Sequence, residues 1–357
     1  MIAHVLRLSV WEWHKLRRRL LPWILLAIVV ILMQVAVWGA YVVHRTEPFS
    51  PRHGIGIGET ASETASETAS ENKETIFEAE WTCKDVRGDR IPPGVEELAD
   101  EHRESALASV EEFRESCAGY EEFRTFTSNA VLLPNSILLG FTLLQGTLFI
   151  LVSILGAAAL GAEYGWGTLR TVLTKGTGRW QFLTAKLVAL MLATLAGLIV
   201  AAATVALSSV LIGFFGLEGD SLQGSAEWLD VPIKMGTLLF SFLPYVMLAL
   251  LATAVTSSTA LGIVAFVVYY LIETTLIPVF SNFEWFQRIS EYLLSTNATT
   301  VLQASYGEVS INIGDNGDAA QPELLHAFLV LAGYTLVFGV LTFWLFQRRD
   351  FTVAKGG

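Results

Sequence analysis

Glu273, in the run YYLIETTLIP, is the only carboxylate deep within an apolar stretch of this 357-residue chain. In such a place a carboxylate carries a proton or meets cargo along a pathway, or it steadies its helix through a hydrogen bond. Gln34 and Gln145 pose the same choice more weakly, with interhelical hydrogen bonding as the plainer use. Cys83 and Cys117 are the only cysteines. They allow one intramolecular disulfide in an oxidising compartment, and two separate thiols are the alternative. Other signatures of chemistry are missing. There is no G-x-x-x-x-G-K-[ST] phosphate loop, and TKGTGR has the wrong spacing for one. No H-E-x-x-H or G-x-S-x-G occurs, and the six histidines do not cluster at metal-ligand spacing. The GIGIG run at 54–58 follows no strand pattern, so it is no dinucleotide fingerprint. These absences predict a chain that is not itself an enzyme and binds no metal.

The elements that carry these residues are helices in lipid. The chain is 53% hydrophobic, which few soluble domains approach. A bilayer core about 30 Å thick takes roughly 20 apolar residues per helical span. Six stretches qualify: 21–43, 135–160, 187–215, 235–256, 259–281 and 325–346. The alternation of transmembrane strands is absent, so the fold class is an all-α polytopic membrane protein. The first stretch is too long for a secretory signal and reads as a retained span. Residues 1–20, 161–186 and 347–357 hold twelve Lys or Arg and three acids, against eleven and 31 in the remainder. The positive-inside rule then puts both termini in the cytoplasm of a cell-membrane protein. The net charge of −11 belongs to the outer face and does not point to nucleic acid.

Residues 44–134 form a large outer insertion. ETAS occurs three times between Glu59 and Ser70, a composition that predicts disorder over 59–71. Residues 95–126 read as helix. The loop at 216–234 is short and acidic. The loop at 282–323 begins with Phe283, Phe286, Ile289 and Leu293 at helical spacing, which predicts a helix at the outer interface. Asn297-Ala298-Thr299 fits a glycosylation sequon, a pattern too common to carry weight. On the inner side, residues 1–20 predict an interfacial amphipathic helix. Ile2, Val5, Leu6, Ser9, Trp13, Leu16 and Leu20 share one face, with His4, Arg7, His14, Lys15 and Arg18 on the other.

The segment 161–186 is longer than a simple reversal needs. Trp166, Leu169 and Val172/Leu173 fall on one face of a predicted helix over 164–175, its start loosened by Gly161 and Gly165 and its end set by Gly176 and Gly178. By residues alone it is either an interfacial helix anchored to lipid or a rigid face for a partner.

E-Y-x-W-G-T-L-R-T-V-L-T-x-G-x-x-R-x-x-F-L-x-A-K, from Glu163 to Lys186, resembles the signature after the second span of ABC-2 type transporter permeases. It is similar to the drug, lantibiotic and sodium exporter branch. The EWHKLRRR start, large first outer loop, six spans and FQRRDF ending fit the same family; the ETAS loop does not map to it. The resemblance implies a cytoplasmic coupling helix in Glu163 to Arg179 that docks on a separate ATP-binding subunit. Thr168, Leu169 and Arg170 would make that contact and Glu163 and Arg179 would hold its ends, with Tyr164, Gly167 and Lys186 in the same signature. It further implies two copies of the ATP-binding subunit, which carry ATP and Mg, and a second permease chain, identical or related. This chain binds no cofactor of its own, and its surroundings are membrane lipid. The expected function is ATP-driven export of an amphipathic, drug-like or lipid-like substrate. The rivals are an ion-gradient-driven secondary transporter and a non-transporting membrane sensor or scaffold that uses the acidic outer loop.

Overall fold

The computed structural model describes residues 2–46, 52–57, 77–83, 100–167, 178–214, 227–280, 283–304 and 322–348. The ETAS repeat at 59–71, residues 216–226, the tail after 348, and Thr168, Leu169 and Arg170 lie outside them. The chain divides into two compact units, Met1–Gly39 with Ala130–Gly357, and Ala40–Asn129.

The first unit is a helical bundle. Helix α1 (Ile2–Arg18) leads through Arg19 into α2 (Leu20–Thr46). The other long helices are α4 (Asn135–Gly165), α5 (Arg179–Phe214), α6 (Asp230–Thr256), α7 (Thr259–Phe280) and α10 (Leu324–Arg348). Helices α2, α4, α5, α6, α7 and α10 are long and apolar enough to cross a membrane. α6 is the enclosed one: Leu238, Phe242, Tyr245, Val246 and Ala249 are fully buried, and the helix packs on α4, α7 and α10. Aromatic rings fill that junction, with Phe149 of α4 centred 4.5 Å from Tyr245 and 5.4 Å from Phe242.

Small residues set the closest approaches, as expected where lipid supplies no hydrophobic drive between helices. A Cβ at Gly161 would lie 2.7 Å from the Thr259 Cα, so only glycine lets α4 meet the start of α7 there. Two residues join α6 to α7, and Ser257 turns the chain with φ +55° while its N–H reaches the Thr253 carbonyl at 2.8 Å. α2 packs more loosely. Its Gln34 accepts a hydrogen bond from Ser208 of α5 at 2.5 Å, and Met33 lies against Gly140 of α4.

Two expectations change here. The helix read at 164–175 does not start at Tyr164: α4 continues through Gly165, and Trp166 and Gly167 form a turn with Gly167 at φ +64°. The single outer helix becomes two short ones, α8 (Glu284–Ser290) and α9 (Leu294–Gln303). Phe286 is buried, whereas Phe283 and Ile289 are exposed. α9 packs against α10, α6 and α7 rather than lying on the surface.

In the second unit, β1 (Arg52–Ile57) pairs antiparallel with β2 (Phe77–Thr82), Ile55 opposite Ala79. Helix α3 (Asp100–Val131) buries Val110, Phe113 and Cys117, three residues of one helical stripe. Cys117 is disulfide-bonded to Cys83, with Cα atoms 5.4 Å apart.

Candidate functional site

The segment that carries the motif leaves α4 at Gly165 and rejoins at α5, and buried charges frame both ends. Glu163, in the last turn of α4, is 2% exposed. One of its oxygens lies 3.5 Å from Lys15, 3.6 Å from Arg19 and 3.6 Å from Lys186. Lys186, two turns into α5, is buried as well. Its ammonium donates to Glu12 at 2.9 Å and to the Ala159 carbonyl of α4 at 3.0 Å. Glu12 also receives Lys15 at 2.9 Å. Three cations and two carboxylates thus tie α1, α4 and α5 together.

Two buried carboxylates demand such partners, because an isolated charge out of water costs several kcal/mol. The sequence arranges this locally. Ser9, Glu12 and Leu16 form the buried stripe of α1, which packs on α5, with Leu16 against Ala159 and Ala189. One face of the helix is therefore docked on protein, while Val10 and Trp11 on its other side stay exposed. Leu20, assigned to its apolar face, is 79% exposed at the start of α2. Arg19 extends the same link, its guanidinium 4.7 Å over the ring of Trp166.

The returning end is held differently. The Gly178 N–H reaches the Gln181 side chain at 3.4 Å as α5 begins. Arg179 donates to the carbonyl of Gln347 in the last turn of α10, a favourable place for a cation beside unpaired carbonyls. Trp180 packs on Phe343 with ring centres 4.4 Å apart. Tyr164 is half-buried in the final turn of α4, and Gly167 is exposed. Glu163 and Lys186 come together, and Arg179, at the start of α5, stands apart and bonds to α10; Thr168, Leu169 and Arg170 lie outside the described residues.

Glu273 lies at the other end of the bundle. Its carboxylate accepts the N–H of Ser295 at 2.8 Å, at the first turn of α9. The fully buried Lys234 of α6 donates to the Leu302 carbonyl at 2.9 Å, at the opposite end of the same helix. The Glu273 carboxyl at the N-terminal amides and the Lys234 amine at the C-terminal carbonyls both satisfy groups that the ends of α9 leave unpaired. Asn297, the sequon residue, is fully buried and donates to the carbonyls of Glu291 and Leu293 at 2.8 and 2.7 Å. Gln34 is engaged with Ser208, and Gln145 is half-buried on α4. Among the described residues no group of three or more His, Cys, Asp or Glu could hold a metal ion.

A family profile described as ABC-2 family transporter protein matches residues 8–351, nearly the whole chain. The chain belongs to the ABC-2 transporter family. No curated protein and no solved structure matches it. With six apolar helices, this ABC-2 protein is a multi-pass membrane protein and the permease of an ABC-type transporter, a transport component that works with an ABC ATP-binding subunit.

Sequence reasoning missed several residues of the ABC-2 permease's charged end. Lys15 falls on the polar face of the expected interfacial helix and Glu12 is given no role, although an acid three residues before a lysine in an otherwise basic helix is a usable signal. At the opposite end of the bundle, Lys234 falls in the stretch read as the acidic loop, which hides its burial.

Proposed function

We propose that this permease exports an amphipathic, drug-like or lipid-like substrate, driven by ATP hydrolysed on a separate subunit. The carrying observation is the buried network of Glu12, Lys15, Glu163 and Lys186 beside the motif segment. It fastens both helices that lead into residues 168–177 to one another and to α1, so force applied there moves three elements as one. In this reading Leu169 fills an apolar notch on the ATP-binding subunit and Arg170 pairs with one of its carboxylates. Tyr164 and Gly167 shape the approach, and Arg179 anchors the return. Two ATP-binding subunits carry ATP and Mg beneath a pair of permease chains, identical or related. Closure of those subunits rocks the spans and alternates access to a cavity between the permeases. The end holding α1 faces the cytoplasm of a cell-membrane protein, a placement supported by the excess of Lys and Arg there.

The test is co-purification with a co-expressed ATP-binding subunit. The wild-type chain and Arg170→Lys are expected to retain it, and Leu169→Asp and Arg170→Glu to lose it while still reaching the membrane in normal amount. Unchanged retention by both charge-altering variants would overturn the assignment of this segment.

A further inference from the structure

Between the α1–α2 elbow and the facing sides of α4 and α5 lies a cleft of about 280 Å³. Leu26 and Val29 form its α2 wall, Leu151 and Leu155 its α4 wall, and Gly197 part of its α5 wall. Its lining covers Pro22–Val29, Leu148–Leu155 and Ala193–Val200, about 10 Å along each helix axis. Half of a bilayer core is about 15 Å thick, so a cleft of this length fits within one leaflet. Deeper along α2 the gap closes where Met33 is buried against Gly140 and Gln34 bonds to Ser208. The wall carries one hydroxyl, that of Thr194, and it is committed to the Leu190 carbonyl at 3.0 Å. Beside the elbow the lining changes character. Trp13 and the exposed Arg17 come from α1, and Trp23 of α2 donates its indole N–H to the Arg17 carbonyl at 2.8 Å.

We infer that this cleft holds one acyl chain of a resident anionic phospholipid whose phosphate meets Arg17. Water finds too few polar partners on these walls to fill the space. Hydrocarbon from the surrounding leaflet fills it at no such cost, and the walls match it chemically. Arg17 supplies the charge complement: a guanidinium binds phosphate through parallel N–H bonds, and in an anionic lipid, unlike phosphatidylcholine, no headgroup ammonium offsets the phosphate charge and competes with Arg17. Trp13 and Trp23 stand where indoles favour the boundary between chain and headgroup. The lipid wedges the elbow that joins the docked helix α1 to the loosely packed α2. This inference stands on the membrane fold alone and is independent of how ATP is coupled.

The test places the full chain in nanodiscs of phosphatidylcholine with a minor fraction of phosphatidylglycerol that carries a diazirine on one acyl chain. After photolysis, label is expected at 148–155 and 193–200 several-fold above that at the lipid-facing residues Val264 and Leu336. A Cβ at Gly197 meets only Leu26, at 3.7 Å, so the backbone accepts a side chain there. Gly197→Phe should bring the cleft label down to the lipid-facing level, while label at Val264 and Leu336 persists and reports an intact bundle. Arg17→Gln should lower the cleft label and Arg17→Lys should keep most of it. The same diazirine on phosphatidylcholine should give no enrichment. Even labelling over all exposed helix faces, or cleft label that ignores Gly197→Phe or the headgroup, would overturn the proposal. Loss of the label when ATP is added with the co-expressed ATP-binding subunit would identify cargo instead of resident lipid, and would overturn it too.

Discussion

Lys186 carries more of the architecture than its place in the motif suggests. Its ammonium bridges a carboxylate from α1 and a carbonyl from α4, and it lies 3.6 Å from Glu163. Removing one member of a buried ion pair leaves the other charged and desolvated, a loss of about 3–5 kcal/mol in comparable settings. Lys186→Met should therefore lower the thermal unfolding midpoint of the purified chain markedly. Pairing it with Glu12→Gln should recover part of the loss, because the stranded charge is then gone. A double-mutant cycle reads the interaction directly. Strictly additive effects of the two substitutions would mean that Glu12 and Lys186 do not act as a pair. Glu163 separates the roles further: with three cations around one of its oxygens, Glu163→Gln keeps the shape and removes the charge.

At the level of elements, α9 is the clearest case of a helix made by its surroundings. It has ten residues, short for a helix that must stand alone in water. Leu294, Ala298, Val301 and Leu302 bury one side of it, and Glu273 and Lys234 satisfy its two ends. Each such hydrogen bond contributes about 0.5–1.5 kcal/mol net. Glu273→Gln and Lys234→Met are thus expected to speed hydrogen exchange at amides 294–303 at least several-fold, with α4 and α5 unaffected. Unaltered exchange in α9 would remove its end partners from the account and return Glu273 to a pathway role. The disulfide makes a parallel prediction for the Ala40–Asn129 unit. A bridge closing a loop of 34 residues contributes about 3–4 kcal/mol in the chain-entropy account. Cys83→Ser should raise proteolysis of α3 while sparing the long helices of the bundle, as mass spectrometry of the fragments would show. These elements also mark what could be read in advance. The spans were legible because twenty apolar residues have few other uses, and Cys83 and Cys117 because there was only one pair to form. Glu12 and Lys234 were not, since a charge looks solvated until tertiary packing supplies its partner. The strand pair was hidden by its brevity and by the ETAS tract between its halves. The C-terminal end of α4 escaped because Gly165 reads as a helix breaker, whereas the helix, with Glu163 buried two residues earlier, continues through it.

For the whole molecule, the proposed coupling asks how a push on residues 168–177 would become movement of the spans. The segment is continuous with α4 on one side and α5 on the other, so an unbraced push would be absorbed at the nearest soft point. That point is present: Gly165, Trp166 and Gly167 form a turn with a left-handed residue beside the segment. Glu163 and Lys186 stand just inside it and clamp α4 and α5 to each other and to α1, so under the proposed coupling displacement would pass into the bundle. Helix α6, enclosed by α4, α7 and α10, would then carry it onward. The glycine-tight contact of Gly161 with Thr259 offers a second path, from α4 into α7. If this clamp transmits force, loosening it should uncouple the machine without dismantling it. In proteoliposomes holding the permease and its ATP-binding subunit, Glu163→Gln should leave ATP hydrolysis near the wild-type rate. ATP-driven export of an amphipathic dye should fall at least about fivefold, the lower end of what a coupling free energy of 1–3 kcal/mol supports. Equal loss of hydrolysis and export would point to failed assembly, and full export would show that force reaches the spans by another route.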